Sequence, residues 1–245
     1  MSTISNSIPD NQQPAKRVRK APSHWNDYET NPKARKTTVR EKNQSMLEVF
    51  ASQKLRYVAD AQVSPVRREK VSKLMTPSCQ SQTDTPEGQR FIQCIQTMKD
   101  DGSDVYAQAV EIRDVVFKTP EGAAVLEKGL FAKREIKKGE VIGVYGGKLM
   151  PLKDLKGDDR FDYLFEFPET PFHKWCIDGR EMGNYTRYMN HCNPKNENVS
   201  SVEFFYGDRP RVIFVASKTI PAGTQLMYDY GPEYWKNKGI TPSEL

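Results

Sequence analysis

Short β-type runs separated by turn residues constrain the fold of this chain more than any other sequence feature. From about residue 104 onward, apolar and β-branched runs alternate with turn pairs such as Lys138-Gly139 and Gly207-Asp208. The runs are Val105–Ile112, Val115–Phe117, Gly129–Lys133, Val141–Tyr145, Tyr163–Phe167, Trp175–Ile177, Val199–Phe205 and Arg211–Ala216. Many short strands with few helices are typical of a mainly β domain. The pattern therefore predicts a mainly β fold for this part of the chain.

The N-terminal third has a different texture. Residues 1–45 are rich in Pro, Asn, Ser and Lys and lack apolar periodicity, which predicts disorder. Apolar residues on one face predict a helix over residues 45–61 and a short amphipathic helix between Phe91 and Met98. The predicted organisation is a basic, largely disordered or partly helical region at 1–89, a helical linker at 90–108, the β domain at 109–235 and a C-terminal tail at 236–245.

Positive charge is concentrated in that N-terminal region. Residues 1–89 hold 15 Lys and Arg against 9 Asp and Glu, whereas the remaining residues hold 22 against 23. A basic arm beside a near-neutral domain favours an acidic partner, such as DNA or a nucleosome. The cluster Lys16–Lys20 is typical of a nuclear-import signal. The alternative interpretation is a solvated linker without a partner.

Several functional classes are excluded by what the sequence lacks. The cysteines Cys79, Cys94, Cys176 and Cys192 form no C-x-x-C pair and match no zinc-site spacing, so we expect reduced thiols, an intracellular setting and no metal. No apolar run approaches the ~20 residues of a membrane span, and the N-terminus lacks the apolar stretch of a secretory signal. Neither a phosphate-binding P-loop nor a dinucleotide fingerprint is present.

Two motifs near the C-terminus carry the chemistry-bearing residues. The first runs from Gly183 through Asn190 and His191 to Asn196, and the second runs from Ile220 to Gly231. Shorter glycine-containing segments precede them, namely Lys128–Ala132, Ile136–Ile142 and Tyr145-Gly146-Gly147. In this order and spacing, the segments resemble the SET-domain family of lysine methyltransferases. The resemblance covers residues 104 to 235, about half of the chain, and includes the Gly-Asn-x-x-Arg-Phe-x-Asn-His and Tyr-Asp-Tyr signatures.

The resemblance implies a fold and a reaction. The implied fold consists of several short sheets with a knot-like threading of the C-terminal segment, and the implied activity is methyl transfer from S-adenosylmethionine to a protein lysine. A histone tail is the expected substrate and the nucleus the expected location. The Tyr-Asp-Tyr-Gly ending without zinc cysteines is similar to members that monomethylate a histone tail.

The resemblance also implies roles for individual residues. Tyr230 is the expected catalytic residue, with its hydroxyl directed at the transferring methyl. The residues expected to bind the cofactor are Lys128, Gly129, Leu130, Tyr145, Arg187, Asn190, His191 and Trp235. The residues expected to line the substrate lysine channel are Tyr145, Tyr163, Phe165 and Tyr228.

The chemistry agrees with these residue types. Methyl transfer to an amine requires alignment, a neutral amine and a dry channel, and it requires neither a metal nor a strong base. Aromatic walls stabilise cations and exclude water. The alternative interpretation of Tyr145, Tyr163 and Phe165 is that they are half-buried strand residues of the core. Asn190 and His191 could likewise only cap a turn.

The sequence departs from the family pattern in three places, and two of them, Glu127 and Lys195, favour a second hypothesis. Glu127 replaces the first glycine of the Gly-x-Gly motif, Lys195 replaces the usual proline, and no cysteine cluster follows Gly231. Tyr234 and Trp235 are the aromatic residues that could cover the cofactor in place of a zinc segment. The second hypothesis is a catalytically weak SET module that acts as a chromatin-binding or scaffold protein.

One further motif lies in the basic tail. The segment Ala34-Arg35-Lys36-Thr37 resembles the Ala-Arg-Lys-Ser context of a methylated histone lysine. A flexible tail keeps such a segment at a high effective concentration near the domain. This motif predicts automethylation at Lys36, and the alternative is a chance match in a tail rich in Lys and Arg.

Overall fold

The computed structural model describes residues 45–118, 124–157, 162–167, 170–232 and 234. Its α-helices are α1 (Met46–Ser52), α2 (Arg68–Leu74), α3 (Pro86–Thr97) and α4 (Val105–Gln108). Its strands are β1 (Arg56–Tyr57), β2 (Ala61–Val63), β3 (Val110–Lys118), β4 (Ala124–Ala132), β5 (Val141–Val144), β6 (Gly147–Pro151), β7 (Leu164–Glu166), β8 (Trp175–Asp178), β9 (Met182–Gly183), β10 (Asn190–His191), β11 (Val199–Tyr206), β12 (Arg209–Ala216) and β13 (Met227–Tyr228). Short 3-10 helices occupy several of the connections.

The strands form several small sheets instead of one large one. A four-stranded sheet has the order β2-β6-β8-β7, and a three-stranded sheet has the order β11-β12-β5. Strands β3 and β4 form an antiparallel hairpin, while β1-β9 and β10-β13 are short parallel pairs. The predicted mainly β fold of several short sheets is therefore confirmed.

The hydrophobic core lies between these sheets. Strand β12 is buried from Pro210 to Ala216, as expected for a strand covered on both faces. Helix α3 covers the three-stranded sheet, and the ring of Phe91 packs edge-on against Phe204 of β11 at 5.2 Å. The helix begins directly after Thr85, whose hydroxyl accepts the Gly88 N–H at 2.9 Å and so caps the first turn. The predicted amphipathic helix between Phe91 and Met98 is thus confirmed.

Two predicted elements have different bounds in the structure. The helix expected over residues 45–61 ends at Ser52, and Lys54 then adopts a positive φ of 57°, which reverses the chain into β1. The strand expected from Val105 to Ile112 begins as helix α4 instead. The Asp104 carboxylate accepts the N–H groups of Tyr106 and Ala107 at 3.0 and 2.9 Å, and this capping favours a helical turn over an extended backbone.

The segment before residue 64 is part of the same core as the β domain. Val49 and Phe50 of α1 are buried in the main core cluster. Strand β1 pairs with β9, and β2 extends the four-stranded sheet beside β6. The bounds predicted for the domains stay predictions. The disorder predicted for residues 1–45 lies, apart from Ser45, outside the described residues.

The Asn184 side chain ties three distant segments together. Its Nδ2 donates to the carbonyl oxygens of Ala59 and Val144 at 2.8 and 2.7 Å, and its Oδ1 accepts the N–H of Thr186 at 3.0 Å. Asn184 is fully buried, so water cannot replace these bonds. The side chain therefore holds the β5 end and the 3-10 helix Tyr185–Tyr188 against the N-terminal segment.

We expect Asn184→Ala to lower the free energy of unfolding by about 3 kcal/mol, because it leaves buried backbone groups without partners. Urea unfolding followed by tryptophan fluorescence measures the change. Asn196→Ala is the matched control, since that partly exposed side chain makes no hydrogen bond within the described residues, and it should cost less than about 0.5 kcal/mol. Equal losses in the two variants would contradict the role of Asn184.

Candidate functional site

The two motifs near the C-terminus meet in a short parallel contact. Asn190 of β10 lies opposite Met227 of β13, and His191 lies opposite Tyr228. The same C-terminal segment also bonds to β4, where the Leu226 N–H donates to the Leu130 carbonyl at 2.8 Å. The segment thus passes between β4 and β10, as the predicted knot-like threading requires.

The Asn198 side chain holds the threaded segment in place. Its Oδ1 accepts the Met227 N–H at 2.9 Å, and its Nδ2 donates to the Gln225 carbonyl at 2.8 Å. The Asn198 backbone N–H also donates to the Met227 carbonyl at 3.1 Å. Asn198 is 5% exposed, so the three bonds are shielded from water. They supply hydrogen-bond partners to the backbone of the threaded segment, as a neighbouring strand would.

Tyr230 is fixed by both its backbone and its hydroxyl. Its N–H donates to His191 Nδ1 at 3.2 Å, and its hydroxyl donates to the Met189 carbonyl at 2.7 Å. The ring of Tyr230 lies 5.4 Å from the His191 ring and 4.8 Å from the Tyr234 ring, as centroid distances. Both motifs therefore position the predicted catalytic tyrosine.

His191 is neutral in this environment. Burial lowers its pKa to about 4, and the carboxylate of Asp229, with Oδ1 at 3.6 Å from His191 Nδ1, opposes this shift only in part. Nδ1 accepts a hydrogen bond from the Tyr230 N–H, so the hydrogen of the neutral ring belongs on Nε2. The ring therefore adds no positive charge to the site.

A cluster of aromatic rings adjoins Tyr230 on its other side. The Tyr228 ring lies 4.9 Å from Tyr230 and 5.1 Å from Phe214, and it stacks on Phe165 at 6.3 Å with an interplanar angle of 19°. Tyr145 completes the cluster at 5.4 Å from Phe165. Burial raises the pKa of both the Tyr145 and Tyr228 phenols, so they stay protonated. The predicted channel residues Tyr145, Phe165 and Tyr228 lie together.

Tyr163 lies apart from that stack. Its ring is 45% exposed and packs under the guanidinium of Arg187, with Cζ 4.0 Å from the ring centroid. It contacts Tyr145 through its backbone, since the Tyr145 hydroxyl donates to the Tyr163 carbonyl at 2.7 Å. Residue 163 adopts a positive φ of 53°, which turns the ring away from the strand that follows. The structure therefore places Tyr163 with Arg187.

The predicted cofactor-binding residues of β4 lie against β10 and the threaded segment. The Lys128 carbonyl accepts the Asn190 side-chain N–H at 3.2 Å. A Cβ atom at Gly129 would come within 2.7 Å of Gln225 Nε2 and of Val115 Cγ2, so only glycine fits there. Leu130 is fully buried, and its carbonyl bonds to the threaded segment.

Arg187 is a buried cation with spare hydrogen-bonding capacity. The residue is 7% exposed, and among the described residues its Nε has no hydrogen-bond partner. It stacks on Tyr163 and Tyr188 and forms no ion pair with any carboxylate that the structure describes. A buried arginine in such a state is a ready site for an anionic group of a ligand.

Sequence reasoning missed two residues of the site. Phe214 belongs to the ring cluster, but its position in the continuous apolar run Val212–Ala216 of β12 shows no alternation that would mark a site residue. Asn198 lies in a polar stretch after Pro194, and only its contact with the threaded segment reveals its role. The predicted cofactor residue Trp235 and the automethylation site Lys36 lie outside the described residues.

Two further structural findings concern ligands of other kinds. Within the described residues, no group of three or more His, Cys, Asp or Glu side chains is placed to hold a metal ion. In the same part of the chain, every helix is too short or too polar to cross a membrane.

Comparison with known proteins assigns the domain. A family model described as "SET domain" matches residues 127–231, which include β4, β10, β13 and both motifs. These residues form a SET domain.

Curated relatives agree with this assignment. The human histone-lysine N-methyltransferase EHMT1 is 32% identical over 116 residues, which cover 45% of this chain and 9% of the relative. The N-lysine methyltransferase KMT5A of Xenopus tropicalis is 28% identical over 196 residues, covering 72% of this chain and 51% of the relative. The chain thus spans about half of KMT5A and a much smaller part of EHMT1.

A solved structure shows the same fold. ATXR5 in complex with a mono-methylated histone H3.1 superimposes with a TM-score of 0.52 and 19% sequence identity. The match covers 76% of this chain and 85% of the ATXR5 chain. The SET fold therefore extends over the sheets described above.

The buried neutral His191 of this SET domain predicts a loss of stability in acid. The unfolded chain binds a proton near pH 6.5, whereas the folded chain resists protonation down to about pH 4. The stabilising contribution is therefore present above pH 6.5 and is lost progressively as the pH falls to 4. Partial solvation reduces the loss to about 2 kcal/mol.

His191→Asn tests this dependence, because the Asn amide oxygen can still accept the Tyr230 N–H while lacking a proton to gain. Urea unfolding at pH 7 and at pH 4.5 gives the acid-induced loss for each protein. We expect the loss to be about 2 kcal/mol smaller in the variant than in the original chain. The same loss in both proteins would show that His191 does not titrate as stated.

Proposed function

We propose that this SET domain is a protein-lysine methyltransferase that uses S-adenosylmethionine and acts on a lysine of a histone tail. The position of Tyr230 carries the proposal. Its ring lies between His191, on the side of the predicted cofactor residues, and the ring of Tyr228, on the side of the predicted lysine channel. A residue that adjoins both sides is placed where a methyl group passes from one to the other.

The residues around Arg187 fit the cofactor. S-adenosylmethionine supplies an electrophilic methyl on a sulfonium, and its amino-acid end carries one carboxylate and one ammonium. The partnerless Arg187 Nε is a donor for the carboxylate, and the Lys128 carbonyl and Asn190 amide supply polar atoms for the ammonium end. Charge-assisted hydrogen bonds of this kind are strong when buried.

Tyr230 and the ring cluster perform the transfer step on the protein side. The Tyr230 hydroxyl donates its proton to the Met189 carbonyl, so toward a methyl group that gains positive charge it can act only as an acceptor. The rings of Tyr145, Phe165 and Tyr228 exclude water from the lysine amine. Desolvation lowers the pKa of an amine and favours its neutral, nucleophilic form. The phenols of this cluster stay protonated, so the amine loses its proton before or during entry and not to them.

The outer strand β7 provides a place for an extended substrate. It is the last strand in the order β2-β6-β8-β7, and it carries Phe165 of the channel. An extended peptide can add to such an edge through backbone hydrogen bonds. Asp162 and Glu166 carry negative charge at the two ends of the strand, which suits a basic peptide. The relatives named histone-lysine methyltransferases support a histone tail as that peptide.

A nuclear location and a contact with chromatin follow from the same proposal. The basic residues of 1–89 would then hold a nucleosome or its DNA, and Lys16–Lys20 would serve import. The predicted bounds of 109–235 for the catalytic domain and the automethylation of Lys36 remain part of the proposal.

The decisive experiment incubates the chain with S-adenosylmethionine carrying a labelled methyl group and with mixed core histones. We expect label on a histone lysine, located by mass spectrometry, and a peptide array then defines the sequence around it. Cofactor binding without transfer to histones, nucleosomes or array peptides would favour a binding or scaffold module instead.

Tyr230→Phe should lower kcat by ~10²-fold or more while leaving cofactor affinity within about twofold, because one preorganised oxygen is lost from the transferring methyl. Single-turnover kinetics and calorimetry measure the two effects. Tyr206→Phe is the matched control, since its hydroxyl accepts only a surface hydrogen bond from Gln96 at 3.2 Å. Activity of Tyr230→Phe within threefold of the original would exclude the assigned role.

The product should be mainly mono- or dimethyl-lysine. The Tyr228 hydroxyl belongs to the ring cluster, and an ordered water held by it would fill the space that further methyl groups need. Tyr228→Phe removes the anchor of that water, so we expect a shift of at least about threefold toward higher methylation states. Mass spectrometry of a methylated peptide gives the product ratio, and a trimethylated product from the original chain would contradict the model of the channel.

A further inference from the structure

Glu127 lies in β4 beside the residues proposed to bind the cofactor, and no described residue neutralises its carboxylate. It occupies the position in β4 where the family motif has its first glycine, directly before Lys128. The residue is partly buried, and none of the described residues gives its carboxylate a hydrogen bond or an ion pair. The two acidic residues of strand β3 are paired, Glu111 with Arg113 and Asp114 with Lys128.

The strand geometry locates Glu127 next to the threaded segment. Glu127 lies opposite Val115 in the hairpin and on the same face of β4 as Gly129, where a Cβ atom would meet the Gln225 side chain. The carboxylate therefore lies on the face of β4 that adjoins the threaded segment.

Two tyrosines lie within the electrostatic influence of this carboxylate. Burial raises the pKa of the Tyr163 and Tyr234 phenols, and the charge of Glu127 adds to the shift. The Tyr163 ring packs under Arg187 at 4.0 Å, and the Tyr234 ring packs against Tyr230 at 4.8 Å.

The cations of the described chain do not neutralise this carboxylate. Lys128 is the next residue along the strand, so its side chain points to the opposite face, where its Nζ lies 2.5 Å from Asp114 Oδ1. Burial alone raises the pKa of Glu127, with no opposing contribution from a nearby positive group. A desolvated carboxylate without a counter-ion is costly, and a cationic ligand would remove that cost.

We propose that the Glu127 carboxylate attracts the positive charge of the methyl donor and makes the site prefer S-adenosylmethionine over its demethylated product. The inference rests on the proposed function. The donor and the product share the ammonium and the carboxylate, and they differ in the sulfonium charge, which is lost with the methyl group. A carboxylate in the pocket wall attracts the donor more than the neutral-sulfur product. The arrangement lowers product inhibition.

Calorimetry on the full chain tests the inference with three ligands. They are S-adenosylmethionine, S-adenosylhomocysteine and an analogue in which a protonated amine replaces the sulfonium. Glu127→Gln keeps the shape of the side chain and removes its charge. We expect it to weaken binding of the two cationic ligands by about tenfold and to change the affinity for S-adenosylhomocysteine by less than about twofold.

Two further variants distinguish an effect of the Glu127 charge from effects of folding and of side-chain volume. Glu111→Gln is the matched control, because it neutralises a carboxylate of the same hairpin that is already paired with Arg113, and it should leave the ratio of the affinities unchanged. Glu127→Gly restores the family residue and should show the same loss of preference as Glu127→Gln. Thermal unfolding of each variant confirms that it folds.

Several results would overturn the inference. If Glu127→Gln weakens the binding of all three ligands equally, the Glu127 charge does not distinguish between them. If Glu127→Gly binds the ligands more tightly, the Glu127 side chain obstructs the pocket. An unchanged ratio of the affinities for S-adenosylmethionine and S-adenosylhomocysteine in both variants would also overturn the inference. If the original chain binds none of the three ligands, the proposed function fails, which is a different outcome from an unaltered preference.

Discussion

The parallel contact between β10 and β13 is the constraint on which the site depends. Each strand has only two residues, so the contact cannot be stable by itself. It persists because the threaded segment also bonds to β4 and to the buried side chain of Asn198. Tyr230 takes its position relative to Asn190 and His191 from this crossing, and it would not meet them if the C-terminal segment left the fold on another path.

The electrostatics of the site follow from burial more than from ion pairs. Burial keeps His191 neutral and the Tyr145 and Tyr228 phenols protonated. A region of neutral rings and neutral donors suits a cationic donor and an uncharged amine, because neither the imidazole nor the phenols add a competing charge. Arg187 and Glu127 are two charged residues near this region for which the structure describes no ion pair. They have opposite signs, as a zwitterionic cofactor with an extra positive charge requires.

Residues 45–63, which precede the domain that the motifs predict, also stabilise this site. Asn184 joins Ala59 to Val144 across the core, and β2 extends the sheet that ends in β7. The segment of 45–63 therefore stabilises the same sheets that carry the channel. In the sequence, this segment showed only a weak helical pattern, because its two short strands find their partners far along the chain.

The sequence alone determined the mainly β texture, the amphipathic helix α3 and the residue types of the site, because alternation, capping and motif order are local properties. Through the resemblance of its motifs to the SET family, it also predicted Tyr228, Tyr230, Asn190 and His191 as site residues. Tertiary structure decided how these residues combine. The turn at Lys54, the capping of α4 by Asp104, the place of Phe214 in the ring cluster and the separation of Tyr163 from it depend on contacts between distant segments. Periodicity cannot report such contacts, since it records which face of an element is buried and not what lies against it.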